Sequence, residues 1–268
     1  MKVSVLIPTC DRLNALIATL TSLTAQTFRD FEVIISDQSK SFAGDDQVIQ
    51  TISRLLKLHD NPVTILHNLP KNGIAHQRQF LLEQSSGKYS LFIDDDVIIE
   101  RDVMARMVDA LTTEPVGFCG MALIGLSYLN QVRPNEQKIE FWSGDVLPEV
   151  VRPGTKEWDR YPLHNAANIY HVSKKLNVTE KKPKRYKIGW VGGCVLYDTN
   201  KLRETGGFTF WRDLPAEHCG EDVMAQLKLM ERYGGFGILP SGAYHLELPT
   251  TIVNREINAP EYLLRQQH

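Results

Sequence analysis

Residues 89–102, YSLFIDDDVIIERD, run from an apolar segment straight into Asp94, Asp95 and Asp96. Three adjacent carboxylates repel one another, so a chain that folds with them together needs a cation or another strong compensation there. Polar groups stand at comparable places earlier on: Thr9 and Asp11 follow the apolar run VSVLI (3–7), and Asp37 follows EVIIS (32–36). A second acidic pair, Glu221 and Asp222, precedes Val223, Met224, Leu227 and Met230, which recur at helical spacing. Acids at the start of a helix are favoured by its dipole whether or not they do chemistry.

The elements that position these residues alternate in hydrophobic period. The run 3–7 reads as a buried strand and 32–36, 63–66 and 89–93 as further strands, and Leu13, Leu16, Ile17, Leu20 and Leu23 mark one face of a helix. Further helical patterns lie near 45–58 and 74–84. Such alternation predicts an α/β fold with a mostly parallel central sheet flanked by helices. In sheets of this kind ligands bind beyond the carboxyl ends of the strands, which places Thr9, Asp11, Asp37 and the triplet along one sheet edge. Asp11 and Asp37 could alternatively cap helices.

The chain of 268 residues is long enough to bury a sizeable core, and 43% hydrophobic with 23% charged residues is an ordinary globular composition. A formal net charge of −2 gives no global field toward nucleic acid or membrane. The N-terminal stretch reads neither as a secretion signal nor as a spanning helix, and no other stretch approaches bilayer length. Cys10, Cys119, Cys194 and Cys219 show no CxxC spacing. Together these features predict a cytoplasmic protein with reduced thiols. No linker or repeat divides the chain, so a single domain over 1–268 is expected.

Two families share an Asp-x-Asp after a strand. Haloacid dehalogenase-type phosphatases want Thr or Val two residues after the second Asp, where this chain has Ile98. VSVLIPTCDR, AQTFRDFEVIISDQS, NGIAHQRQFLLEQSSGKYSLFIDDDV and GGF, in that order, closely resemble family 2 glycosyltransferases with the GT-A fold. The resemblance covers about 1–112 well and 188–247 more loosely. It implies a donor half over about 1–124, an acceptor half over about 125–268, and an inverting transfer from a UDP-sugar to a glycan or lipid-linked acceptor, with peripheral membrane contact one way of reaching the latter. A binding module without catalysis is the non-enzyme alternative.

Residue by residue, the resemblance implies that Asp94 lies near the donor ribose, that Asp95 fills the variable position, and that Asp96 ligates Mn2+ or Mg2+. Pro8, Thr9 and Asp11 belong to its donor-binding first motif, and Asp37 would accept a hydrogen bond from uracil. Gly73 would let the backbone approach the nucleotide, and Arg78 would pair with phosphate or steady the aspartates. Gly220-Glu221-Asp222 resembles the acidic motif of inverting members, which makes Asp222 the base with Glu221 beside it. His245 stands where a late histidine completes the metal shell, a ligand that would tilt preference toward manganese. Trp190, Gly192 and Gly193 fall in the acceptor-side segment, where Trp190 could equally be a core residue. Residues 125–187, with the basic run 174–187, stay unassigned; that run could be a solvated face or mobile loop, close over the donor, or meet an anionic acceptor such as a lipid diphosphate at a membrane surface.

Overall fold

The computed structural model describes residues 2–252 and 254–265. Its elements follow in order: β1 (Val3–Thr9), α1 (Leu13–Thr24), β2 (Phe31–Asp37), α2 (Gln47–Leu58), β3 (Val63–His67), α3 (Ile74–Gln84), β4 (Tyr89–Ile93), β5 (Val97–Ile99), α4 (Val103–Thr113), β6 (Phe118–Gly120) and β7 (Ile124–Gly125). The second half adds α5 (Asn168–Lys175), β8 (Lys184–Tyr186), β9 (Cys194–Asp198), α6 (Thr199–Glu204), α7 (Glu221–Tyr233), β10 (Gly235–Leu239), β11 (Ala243–His245) and α8 (Ala259–Arg265).

The main sheet has the order β3-β2-β1-β4-β9-β6-β10-β8, with β5-β11-β7 forming a small second sheet. Four of the seven neighbouring pairs in the main sheet are parallel, and β9 and β8 run against their neighbours. Every residue of β1 is buried, as a strand covered on both faces requires. Its alternate side chains divide between two cores. Val3, Val5 and Ile7 pack with residues of α1, α2 and α4, while Leu6 packs with residues of α3, α5 and α7. Pro8 is tolerated here because pairing with β4 ends at Leu6, so no ladder bond to β4 is lost.

The first-half strands and helices expected from the sequence are present, with one shift. Asp46 accepts from the Val48 and Ile49 amides at 2.8 and 3.0 Å, so α2 starts at Gln47 rather than 45. Residues 126–167 form short 3-10 turns and irregular chain, which explains why no periodicity could be read there. The four cysteines are free thiols, and among the described residues no helix is long and apolar enough to cross a membrane.

Gly193 joins the sheet to its carboxyl edge. Its φ is +77°, its carbonyl accepts the Asp94 amide at 3.0 Å, and an added Cβ would lie 2.3 Å from Leu123 Cδ1. Gly154 also has a positive φ, +87°, but faces open space. Gly193→Ala should therefore destabilise the protein by about 1–3 kcal/mol from backbone strain, with steric cost added. Gly154→Ala should cost the strain alone, so urea unfolding midpoints should fall further for Gly193→Ala.

Candidate active site

Beyond the carboxyl ends of β1 and β4 opens a cleft of about 390 Å³. Pro8, Thr9, Arg78, Asp94, Asp95, Asp96, Glu221, Asp222 and His245 all line it, so residues from both ends of the chain converge. A second cavity of about 650 Å³ shares Cys10, Ile74 and Gln77 with it and continues past Gly73, Gln38 and Lys71. Gln77 ties the two strand ends beneath them by donating to the Thr9 carbonyl at 3.1 Å and the Ser36 carbonyl at 2.6 Å.

The compensation that the triplet needs comes from two arginines. Arg78 donates from Nη2 to Asp94 at 2.8 Å and from Nε to Glu221 at 2.7 Å. Arg12 donates from Nη1 to Asp95 at 3.1 Å and from Nη2 to Asp96 Oδ2 at 2.5 Å. Thr9 Oγ1 also donates to Asp95, at 2.7 Å. Burial nonetheless pushes Asp95 up to about 7, against the pull of Thr9 and Arg12 and with help from Asp96 and Asp94. At Asp96 burial works upward too, but the hydrogen bond and charge of His245 and then Arg12 outweigh it, holding its carboxyl below the ordinary value. For Arg78 burial is outweighed by Asp94, Glu221 and Asp222, so it stays charged.

His245 Nε2 lies 3.2 Å from Asp96 Oδ2, an arrangement set by β11 pairing with β5, which puts His245 opposite Val97. The bond to Asp96 raises the imidazole above its ordinary value despite partial burial. Among the described residues no three or more His, Cys, Asp or Glu side chains converge to hold a metal by themselves. Asp96 and His245 are the residues that would hold a divalent ion, one oxygen and one nitrogen donor; to do so Asp96 Oδ2 would give up Arg12, and His245 Nε2 its proton, since Nδ1 accepts the Glu247 amide at 3.1 Å.

Glu221 and Asp222, which line the same cleft, occupy the first turn of α7. Glu221 is committed to Arg78, whereas Asp222 is bonded only to its neighbour's amide, Val223, at 2.8 Å among the described residues. Burial, then the Glu221 charge, push Asp222 up to about 7, against the pull of Arg78. Gly192 lies against it: a Cβ there would stand 3.3 Å from Asp222 Oδ2.

Other expected site residues lie outside the 390 Å³ cleft. Asp37 is fully buried, with its oxygens accepting the Ser39 and Ala43 amides at 2.8 and 2.7 Å. Asp11, at φ 54°, accepts the Lys40 amide at 2.8 Å and faces Lys71 at 3.7 Å; neither it nor Asp37 caps a helix. Gly73, at φ +91°, sits against the Ala216 carbonyl and His218, so close approach of the chain to itself requires glycine there as well. Trp190 stacks on Tyr161, with centroids 6.2 Å apart and planes 8° apart. Sequence reasoning missed Arg12, Gln77 and Arg255, which all line the cleft. Arg12 stands in the quoted motif, but nothing in the sequence relates it to carboxylates some eighty residues later.

The model of the glycosyl transferase family 2 matches residues 4–187. The chain belongs to that family. A glucosyltransferase of Campylobacter jejuni, named for GalNAc(5)-diNAcBac-PP-undecaprenol, is 33% identical over 95 residues, 35% of this chain and 29% of its own. Matches to curated relatives cover less than half of those proteins' lengths. Among solved structures, Staphylococcus aureus TarS 1–349 with UDP-GlcNAc has a TM-score of 0.54 at 19% identity, over 94% of this chain and 60% of its own. Mannosyltransferase PcManGT from Pyrobaculum calidifontis, with GDP-Man and Mn2+, has 0.58 at 19%, over 94% and 58%. The fold of this family member is GT-A, and the phosphatase alternative falls away.

Arg78 is the internal counter-ion of this site, buried at 6% exposure. Arg78→Met would leave Glu221 buried without its partner, an unpaired charge that costs about 3–5 kcal/mol. Denaturant unfolding should show a loss of that size, and Glu221→Gln in the same background should recover part of it.

Proposed function

We propose that this chain transfers a sugar from a UDP-sugar to an acceptor hydroxyl with inversion, Asp222 serving as general base. The observation that carries the reading is the separation of roles across one cleft. Asp96 and His245 are the pair that would hold a cation, at the end of β4 and on β11, while Asp222 stands on α7 with its pKa lifted to about 7. Arg78 bridges the two through Asp94 and Glu221 and keeps Glu221 occupied, leaving Asp222 to take the proton.

A bound Mn2+ or Mg2+, held by Asp96 and His245, would neutralise charge developing on the departing diphosphate. Thr9 and Arg12 fix Asp95 and Asp96 beneath it, and Asp94 is left half-exposed toward the ribose side. Asp37, expected to accept a hydrogen bond from uracil itself, has its oxygens taken by the Ser39 and Ala43 amides and acts instead by holding the loop that carries Gln38 into the adjoining cavity. Pro8 and Gly73 shape the donor floor, and Asp11 steadies its rim through Lys40 and Lys71. Gly192 keeps a side chain away from the base, opening room for an acceptor that Trp190 borders, while Gly193 lets the chain pass close to Leu123. The division into donor and acceptor halves within one domain follows this arrangement. The lipid-linked substrate in the Campylobacter relative's name supports an acceptor of that class and, with it, contact with a membrane face.

Two experiments test the reading. Asp222→Asn should lower transfer by about 10²–10⁴-fold while leaving UDP affinity little changed, because the base acts on the acceptor. In the wild type, kcat/KM should rise with pH through about 7 as Asp222 loses its proton. A flat profile, or normal transfer by Asp222→Asn, sinks the assignment of the base.

For the donor, calorimetry in manganese should give UDP tighter binding than GDP or ADP. His245→Ala should weaken manganese binding in the presence of UDP. In the wild type manganese affinity should drop as pH falls through the raised His245 pKa, since only neutral imidazole ligates. GDP binding as tightly as UDP removes the base assignment, and unchanged metal curves for His245→Ala remove that ligand.

A further inference from the structure

Outside the cleft, the feature that the proposed chemistry leaves unused is the stretch 174–187. It carries Lys174, Lys175, Lys181, Lys182, Lys184, Arg185 and Lys187 against one acid, Glu180, in a chain whose net charge is −2. Its turn is tightly held. The Val178 amide donates to the Ser173 carbonyl at 3.1 Å, Ser173 Oγ donates to the Val178 carbonyl at 3.3 Å, and Val178 packs against the core.

Some of these cations are engaged. Arg185 pairs with Glu114, and Lys187 lies over Trp142 and bonds Glu149. Lys174 lies over Tyr170 at 5.5 Å and Lys184 over Phe141 at 5.0 Å. The side chains of Lys175, Lys181 and Lys182 are exposed and have no ion pair, hydrogen bond or ring contact among the described residues. Between them Leu176 is left 40% exposed. Position also matters. Lys184 pairs with Leu239 at the carboxyl end of β10, from which the chain continues into β11 and His245. Glu180 is near enough to Tyr244 to act on its phenol. The basic turn therefore sits behind the Asp96–His245 side of the cleft.

We propose that the turn Lys174–Lys184 docks the protein on an anionic lipid bilayer, holding the cleft at a membrane that contains its acceptor. The clause about the acceptor rests on the function proposed above; the docking surface itself does not. Unpaired lysines are drawn to anionic headgroups, and an apolar side chain set among them can enter the headgroup boundary. A single-stranded nucleic acid fits less well. The rings that could stack on bases, Tyr170, Phe141 and Trp142, are covered by Lys174, Lys184 and Lys187.

Co-sedimentation of the whole chain with phosphatidylcholine vesicles, with and without phosphatidylglycerol, tests this. Binding is expected only to the anionic vesicles and should weaken as salt is raised. Each lysine near the surface contributes about fivefold, so Lys175→Gln, Lys181→Gln and Lys182→Gln together should lower partitioning roughly hundredfold. Leu176→Ser should lower it further. UDP affinity, measured by calorimetry on the same variants, should stay at the wild-type value. Equal binding to both vesicle types, or wild-type partitioning by the triple variant, overturns the inference. So does single-stranded RNA binding as tightly as anionic vesicles with Leu176→Ser without effect. Failure of vesicle binding with UDP binding intact removes the docking surface alone, whereas a wild-type protein that does not bind UDP removes the donor reading instead.

Discussion

Everything at the carboxyl edge of the sheet depends on holding Asp94, Asp95 and Asp96 together. Two like charges at ~4 Å repel by ~4 kcal/mol at an effective dielectric constant near 20, and burial makes the ionised forms costlier still. Arg78 and Arg12 resolve this by dividing the triplet, one taking Asp94 and the other Asp95 and Asp96. Each arginine also commits the element that carries it. Arg12 fixes the start of α1 over the strand ends, and Arg78 fixes α3 against α7 through Glu221. The acids are thus a folding constraint before they are a binding site.

That solution makes the two acidic groups unequal. Glu221 and Asp222 are adjacent in sequence, yet Arg78 takes one and leaves the other. Asp222 then carries the cost of burial beside a neighbouring anion, which is what lifts its pKa toward neutrality. Asp96 is pulled the opposite way by His245 and Arg12. Asp222 and Asp96 are thus driven apart in proton affinity by their partners, the condition under which one can accept a proton while the other remains an anion, whereas Asp95, lifted to about 7 by burial, goes with Asp222.

The sequence by itself determined the sheet and its edge. Strands at 3–7, 32–36, 63–66 and 89–93 were legible because period and composition act locally, and the motifs in their order identified the family. The rule that ligands bind beyond strand ends placed the triplet and Thr9 at the cleft, where they lie. Residues 126–167 were not legible, because short 3-10 turns and irregular chain carry no period.

Only the tertiary structure decided partnership. That Arg12 meets Asp95, that Arg78 chooses Glu221 over Asp222, and that β11 delivers His245 to Asp96 are contacts between residues far apart in sequence. No local pattern encodes such contacts. Asp37 and Asp11 show the same limit from the other side, since position after a strand fits both a ligand contact and a loop-holding carboxylate. The folded loop engages Asp37 with the Ser39 and Ala43 amides and Asp11 with the Lys40 amide, because buried or turning backbone must find acceptors wherever the fold supplies them.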